Sequence, residues 1–437
     1  MAAPITLSNP YPVIPLSHPL RARVRVPGSK SLTNRALLLA ALADGVTTLT
    51  NTLTSDDSAR FIESLQRLGF NLQFSNSQIT IHGLKGKIPA SRAELFVGNA
   101  GTAARFLTPM LALGQGEYVL DGDARMRERP IRDLLAALQQ LGVQATSATG
   151  CPPVQVRAAG LRGGRCTVAG NISSQFLSGL LMVAPYASAP LEIEVAGELN
   201  SKPYVEMTLA IMADFGVQVE RTGFERFRVT PQCYRAQATY AIESDASAAS
   251  YFFAAPAIVG GSVRVENISR ASKQGDVAFV EVLTQMGCAV EEGPDWLAVK
   301  AEHVPLALRG VEVDMRDIPD TAQTLAAIAP FASTPTVIRG IASARVKETD
   351  RVAAMCAELT RLGVQVEEYP DGLKIYPCAA IQPAVVQTYN DHRMAMAFAL
   401  LGLRVPGVQI ENPSCVNKTF PNYFDVLESL RSVNSEQ

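Results

Sequence analysis

Residues 134–143 read LLAALQQLGV. The pattern is an amphipathic helix closed by a Leu-Gly-Val stop. Glycine suits the left-handed residue just past a helix end, because it has no Cβ to clash there. The same signature returns as FIESLQRLGF at 61–70, LAIMADFGV at 209–217, VEVLTQMGC at 280–288 and MCAELTRLGV at 355–364. Its glycines, Gly69, Gly142, Gly216, Gly287 and Gly363, are 73, 74, 71 and 76 residues apart. A sixth copy near 426–430 is cut short by the end of the sequence. Six units of about 73 residues account for the 437 of the chain.

Each unit also holds a nearly all-apolar helix opened by small polar or charged residues. The openings are Ser31–Arg35, Asn99–Thr102, Ser173–Gln175, Ser244–Ser247, Asp317–Thr321 and Asn390–Arg393. Bodies such as ALLLAALA, FLSGLLMVAP and MAMAFALLGL follow. A helix apolar all round has to be buried. Its first N–H groups and the positive end of its dipole favour an anion. Buried helices aimed at a common point are expected.

Strand-like alternation flanks the helix pairs, as at 23–26, 78–81, 191–195 and 262–265. The predicted unit is therefore βαβαββ: strand, buried helix, strand, outer helix, closing hairpin. Three units make a domain, giving an α/β chain of two domains with helices inside and sheets outside, an inside-out α/β barrel. The first domain is expected over 26–242. The second combines 1–25 with 243–437, so the chain crosses between domains twice, and those crossings form the hinge.

Hydrophobic residues make up 47% of the chain and charged ones 18%, which allows a large core. A net charge of −2 gives no general attraction to nucleic acid or to a membrane surface. Seven scattered cysteines, an odd number with no CxxC pair, read as reduced thiols rather than as a zinc site or a disulfide frame. No signal peptide or membrane span is legible. A cytoplasmic monomer without metal or cofactor is the expectation.

Lys30-Ser31 follows Pro27-Gly28-Ser29, and Arg35 lies four residues past Ser31, on the same helical face. Arg35 could take a carboxylate by two hydrogen bonds. The run is not a nucleotide P-loop, since Ser29 rather than glycine precedes Lys30 and the second glycine is missing. Gly98-Asn99-Ala100-Gly101-Thr102 lets backbone approach a ligand. Ser173-Ser174-Gln175 offers a phosphate cradle at a helix start. The densest charge cluster is RVKETDR at 345–351, where Lys347 and Arg351 are expected on one helical face and Glu348 could transfer protons. Arg393 opens the most apolar helix and calls for an anionic partner. His392 reads as structural. Lys30, Arg35, Arg129, Lys347, Arg351, Arg393 and Lys418, with Asp320 and Glu348, suit two anionic substrates and an acid/base reaction.

Nine motifs, in order and over nearly the whole chain, resemble the 5-enolpyruvylshikimate-3-phosphate synthase family: PGSKSLTNRALLLAAL, GNAGTAARF, RMRERPI, NISSQFLSGLLM, SKPYVEMT, IPDTAQT, RVKETDR, NDHRMAMAFAL and NKTFPNYF. The resemblance implies two domains of threefold-repeated units with the active site in the cleft between them. It implies transfer of the enolpyruvyl group of phosphoenolpyruvate to the 5-hydroxyl of shikimate 3-phosphate, with no metal or organic cofactor. By resemblance, Arg35 and Ser31 take the carboxylate of shikimate 3-phosphate, and Ser173, Ser174 and Ser201 its phosphate. Tyr204 lies by its ring, Asp320 and Lys347 hold its hydroxyls, and Lys30, Gln175 and Ser343 complete that set. Phosphoenolpyruvate would meet Lys30, Arg129, Arg351, Arg393 and Lys418, helped by Gln175, with Asn99, Gly101 and Thr102 shaping the wall. Glu348 would give the proton to carbon, Asp320 would receive the hydroxyl proton, and Lys30 would join them as a catalytic group.

Two positions depart from the family pattern. Phe106 stands where many members carry proline, so sensitivity to glyphosate does not follow from the resemblance. Ser343-Ala344 stands where many have an asparagine near the shikimate ring. The nearest rival is the related transferase acting on UDP-N-acetylglucosamine, which typically has a cysteine in the loop before its Arg-Pro, whereas residues 121–130 contain none. A non-catalytic anion-binding module would be expected to have lost Asp320, Glu348 or the cations.

Overall fold

The computed structural model describes residues 7–75, 77–301 and 308–431. Its contacts divide the chain into two compact units, Gly28–Glu243 and Met1–Pro27 with Ser244–Gln437.

Twelve α-helices are formed by the described residues, alternating buried and outer. The buried ones are α1 (Lys30–Leu42), α3 (Gly101–Leu111), α5 (Ser174–Val183), α7 (Ala246–Val259), α9 (Ala322–Ile328) and α11 (His392–Gly402). Every residue of α3, α7, α9 and α11 is buried, as their composition demands. The outer ones are α2 (Asp56–Arg67), α4 (Arg132–Gln140), α6 (Lys202–Asp214), α8 (Phe279–Gln285), α10 (Arg351–Arg361) and α12 (Tyr423–Ser429). In α2 the buried set is Asp57, Ser58, Phe61, Ser64 and Leu65, a single stripe at helical spacing.

The stops after α2, α4, α6, α8 and α10 share one geometry. Gly69, Gly142, Gly216, Gly287 and Gly363 all have positive φ. In each, the residue after the glycine donates its N–H five residues back: Phe70 to Leu65, Val143 to Leu138, Val217 to Met212, Cys288 to Leu283 and Val364 to Leu359. This 6→1 bond satisfies carbonyls that the helix end leaves over.

Gly28–Glu243 carries three four-stranded sheets. Their strand orders are 240–241, 44–50, 78–84, 71–75; then 92–96, 115–121, 154–159, 144–146; then 164–169, 191–196, 226–229, 220–222. In each the first pair is parallel, as when Arg92 faces Glu117, and the other pairs are antiparallel. The first sheet is completed by Tyr240–Ala241, from the far end of the same unit.

The other unit repeats the plan. One sheet runs 20–24, 261–266, 296–301, 289–292, with Leu20–Val24 parallel to Gly261–Glu266, the strand that follows α7. The next runs 312–314, 336–339, 372–375, 366–369. The last has three strands, 385–386, 409–410 and 11–12, with Tyr11–Pro12 paired antiparallel to Gln409–Ile410. Among the described residues all six sheets are open, and each unit has its own core of buried side chains. No described helix is long and apolar enough to cross a membrane.

Candidate active site

Many of the charged residues lie at helix openings, where backbone N–H groups are left to be satisfied. In the unit containing Ser244–Gln437, Asp320 lies in the turn before α9. Its Oδ1 accepts from Lys347 Nζ at 2.6 Å and from Arg351 at 3.0 Å, and its Oδ2 accepts from Arg393 at 2.9 Å. Arg351, 1% exposed, is the junction of this cluster. Besides Asp320 it donates to Glu348 Oε2 at 2.9 Å and to Asp391 at 2.7 and 3.3 Å. Lys418 Nζ stands 3.9 Å from Glu348 Oε1. Burial works against the charge on Arg351, yet Asp391, Glu348 and Asp320 outweigh it and raise its pKa. Lys347 goes the other way: burial lowers its pKa more than the neighbouring Asp320 raises it.

Asp391 is also the cap of α11, its Oδ1 accepting the Arg393 N–H at 2.9 Å. Arg393 reaches Tyr251 Oη at 3.5 Å, a hydroxyl that burial pushes up to about 12. Four cations, Lys347, Arg351, Arg393 and Lys418, thus interleave with three carboxylates, Asp320, Glu348 and Asp391, leaving one positive charge over. Buried charges are tolerated when paired in this way, and the surplus suits an anionic ligand.

Lys347 and Arg351 do not meet along a helical face, as their spacing predicted. Helix α10 begins at Arg351 with Asp350 as its cap, and Lys347 sits in the turn after a short 3₁₀ segment, Ala342–Val346. The two side chains converge on one oxygen of Asp320 instead. Ser343 is half-buried in that 3₁₀ segment. Arg345 turns away to Asp350, Glu368 and the Tyr369 and Pro370 carbonyls, where it fixes the loop.

In Gly28–Glu243 the first cation is Lys30, the opening residue of α1, with Nζ 3.6 Å from Asp57 Oδ2. Arg35, 1% exposed, donates through Nε to Thr208 at 2.8 Å. Its NH2 reaches Ser178 Oγ and the Tyr204 carbonyl, and its NH1 reaches the Ser31 carbonyl. Four of its five N–H groups are therefore used internally. Its guanidinium also stacks 4.9 Å from the Phe106 ring centroid, with Phe106 itself fully buried. Among the described residues no carboxylate is bonded to it, and burial pulls its pKa down to about 10. A buried cation without a counter-charge is stabilised by an incoming anion.

Arg129 donates to the carbonyl and to Oδ1 of Asn99, at 3.0 and 2.8 Å. A Cβ on Gly101 would stand 2.6 Å from Arg129 NH2, so the glycine makes room for this guanidinium. Arg105 holds the same loop through the Pro130 carbonyl at 2.9 Å. Thr102 Oγ1 accepts from Asn34 at 2.7 Å and ties α3 to α1. Ser173 caps α5 by accepting the Gln175 N–H, and Ser174 is the first residue of that helix. Ser201 precedes α6 in a left-handed conformation, φ 57°, an unusual state for serine. Tyr204 follows one turn later, its carbonyl already engaged by Arg35 and Thr208.

A model of the family described as EPSP synthase (3-phosphoshikimate 1-carboxyvinyltransferase) matches residues 15–427. The chain belongs to this family. It is 51% identical to a curated 3-phosphoshikimate 1-carboxyvinyltransferase of Nostoc punctiforme over 414 residues, 94% of this chain and 96% of the relative. It is 49% identical to one of Shewanella baltica over 418 residues, 94% and 97% of the two chains. The solved EPSP synthase of Acinetobacter baumannii superimposes with a TM-score of 0.79 at 26% identity, covering 97% of this chain and 98% of that one.

Several members of the clusters were given no role by the sequence. Asp57 sits in an ordinary helix-start pattern, Ser55-Asp56-Asp57-Ser58, which conceals its ion pair. Thr208 and Ser178 lie inside the motifs SKPYVEMT and NISSQFLSGLLM, but mid-helix, and were given no role there. The fourth helix opening is closed by side chains from two segments. The first N–H groups of α7 are taken by Gln274 and Asp245, and Ser247 bonds Asp276, so that end is occupied by the protein's own acceptors.

Proposed function

We propose that the chain transfers the enolpyruvyl group of phosphoenolpyruvate to the 5-hydroxyl of shikimate 3-phosphate, releasing phosphate. The observation that carries this reading is the Arg351 junction. It holds two carboxylates, Asp320 and Glu348, on separate bonds among cations that outnumber the acids.

The chemistry needs a proton delivered to the methylene carbon of phosphoenolpyruvate while a hydroxyl attacks C2. Glu348 is the donor to carbon. Asp320 orients the hydroxyl and receives its proton, with Lys347 bonded to the same carboxylate. The resulting tetrahedral adduct loses a proton and phosphate to restore the double bond. Arg351, Arg393 and Lys418, with Lys30 and Arg129, hold the charge that develops on the phosphate. Lys30 thereby acts in the reaction as well as in binding.

Shikimate 3-phosphate is assigned to Ser31, Arg35, Ser173, Ser174, Gln175, Ser201 and Tyr204, with Lys30, Asp320, Ser343 and Lys347. The start of α5 supports the phosphate assignment, since serine hydroxyls and helix N–H groups meet there. Phosphoenolpyruvate is assigned to Lys30, Arg129, Arg351, Arg393 and Lys418 with Gln175, Asn99, Gly101 and Thr102. Catalysis on this reading requires the two units to close on one pair of substrates and exclude water. The unbonded cysteines support a reducing compartment, and we take the chain to act there as a cytoplasmic monomer.

A phosphate-release assay tests the reading. Phosphoenolpyruvate with shikimate 3-phosphate should release phosphate, and phosphoenolpyruvate with UDP-N-acetylglucosamine should not. Release with the nucleotide sugar alone would overturn it in favour of the related transferase.

A further inference from the structure

Glu358 is fully buried in α10, far along the helix from the charged cluster at its start. A buried carboxylate needs partners. It has three: the Gln387 N–H at 2.9 Å and Arg361 Nε at 3.0 Å on Oε2, and Tyr389 Oη at 2.7 Å on Oε1. Two of the three lie in the segment that leads into α11. Tyr389 and Asn390 there both have positive φ, 54° and 55°, adjacent left-handed residues that are not glycine. Such a pair persists only where surrounding bonds over-determine it. The Asp391 N–H closes the turn on the Thr388 carbonyl at 2.8 Å.

Arg351 and Glu358 are seven residues apart, about two helical turns, and so share a face of α10. Arg351 grips Asp391 and Glu358 grips Gln387 and Tyr389. One rigid helix thus holds both ends of the 387–391 turn. Asp391 in turn fixes Arg393, whose guanidinium bonds Asp320.

We propose that Glu358 is a positioning residue for the reaction: its hold on Gln387 and Tyr389 sets the left-handed turn that places Asp391 and Arg393. It touches no substrate. The kinetic consequence rests on the assignment of phosphoenolpyruvate to Arg393, made above.

The test uses the full chain with Glu358→Gln and Tyr389→Phe, the latter a partly exposed residue whose loss of a hydroxyl leaves the fold intact. Hydrogen exchange reads the turn directly. Exchange of the Gln387 and Asp391 amides should speed up by about tenfold or more in Glu358→Gln, the size expected for losing a charged acceptor. KM for phosphoenolpyruvate should rise by a similar factor of about ten, with KM for shikimate 3-phosphate little changed. Tyr389→Phe should move both in the same direction, and the double variant should show less than the product of the two effects. Arg393→Lys separates the two claims. If it raises KM for phosphoenolpyruvate while Glu358→Gln and Tyr389→Phe do not, the positioning role is wrong. If Arg393→Lys leaves that KM unchanged, the substrate assignment is wrong, and the exchange data still judge the turn. Unchanged exchange in Glu358→Gln overturns the proposal whatever the kinetics.

Discussion

Lys347 and Arg351 share an oxygen of Asp320 but respond to burial differently. Arg351 has three acids around it and keeps its charge. Lys347 is bonded to Asp320, and burial lowers its pKa below the ordinary lysine value. A lowered lysine pKa means the charged form is lost earlier as pH rises. The alkaline limb of kcat/KM for shikimate 3-phosphate should therefore fall below pH ~10.4, the unperturbed lysine value, and Lys347→Arg should move it upward. An unmoved limb in that variant would remove Lys347 from the profile. Arg35 offers a stability test. Thr208→Val takes away the acceptor of its Nε inside the core. The expected cost is about 1–3 kcal/mol, read as a lowered Tm. Motif residues such as Asp320, Lys347 and Arg393 were legible because their charge is conspicuous beside apolar helices. Asp57, Thr208 and Glu358 were not, because a polar residue on an amphipathic helix looks the same whether it faces water or a buried guanidinium.

Helix stops are where sequence and structure agree in most detail. Five Leu-Gly-Val-type endings became five glycines at positive φ with one shared hydrogen-bond pattern. Their substitution costs should differ with surroundings. A Cβ on Gly142 meets nothing within 4 Å, so Gly142→Ala carries only the left-handed penalty, about 1–2 kcal/mol. A Cβ on Gly69 would come within 2.8 Å of Pro89 Cβ, so Gly69→Ala should lower stability further. Equal losses in denaturant titrations of the two variants would contradict this account of the stops. The element scale also shows where periodicity misleads. An i, i+4 spacing at 347 and 351 predicts a shared helical face, but Asp350 is the better cap and starts α10 after it. Side-chain capping bonds, rather than spacing, decide where a helix begins.

The repeat gives the molecule its plan, while the pairing of its ends is invisible to local pattern. Tyr240–Ala241 completes the sheet of the first repeat, and Leu20–Val24 completes that of the fourth. Both contacts join segments roughly two hundred residues apart, and no periodicity encodes such a partner. Because that closing strand lies inside Gly28–Glu243, residues 28–243 expressed alone should unfold in one cooperative transition. Absence of a cooperative transition would show that this unit depends on the rest of the chain. Glu348 sits between Arg351 and Lys418 and, in the proposed reaction, carries the proton transfer to carbon. The most direct measurement is turnover and substrate binding of Glu348→Gln. Glutamine keeps the size and an acceptor for Arg351 but cannot deliver the proton. Both substrates should still bind within a few-fold of the parent, while kcat falls by about 10²–10⁴. Turnover near that of the parent, with binding intact, would contradict the assignment.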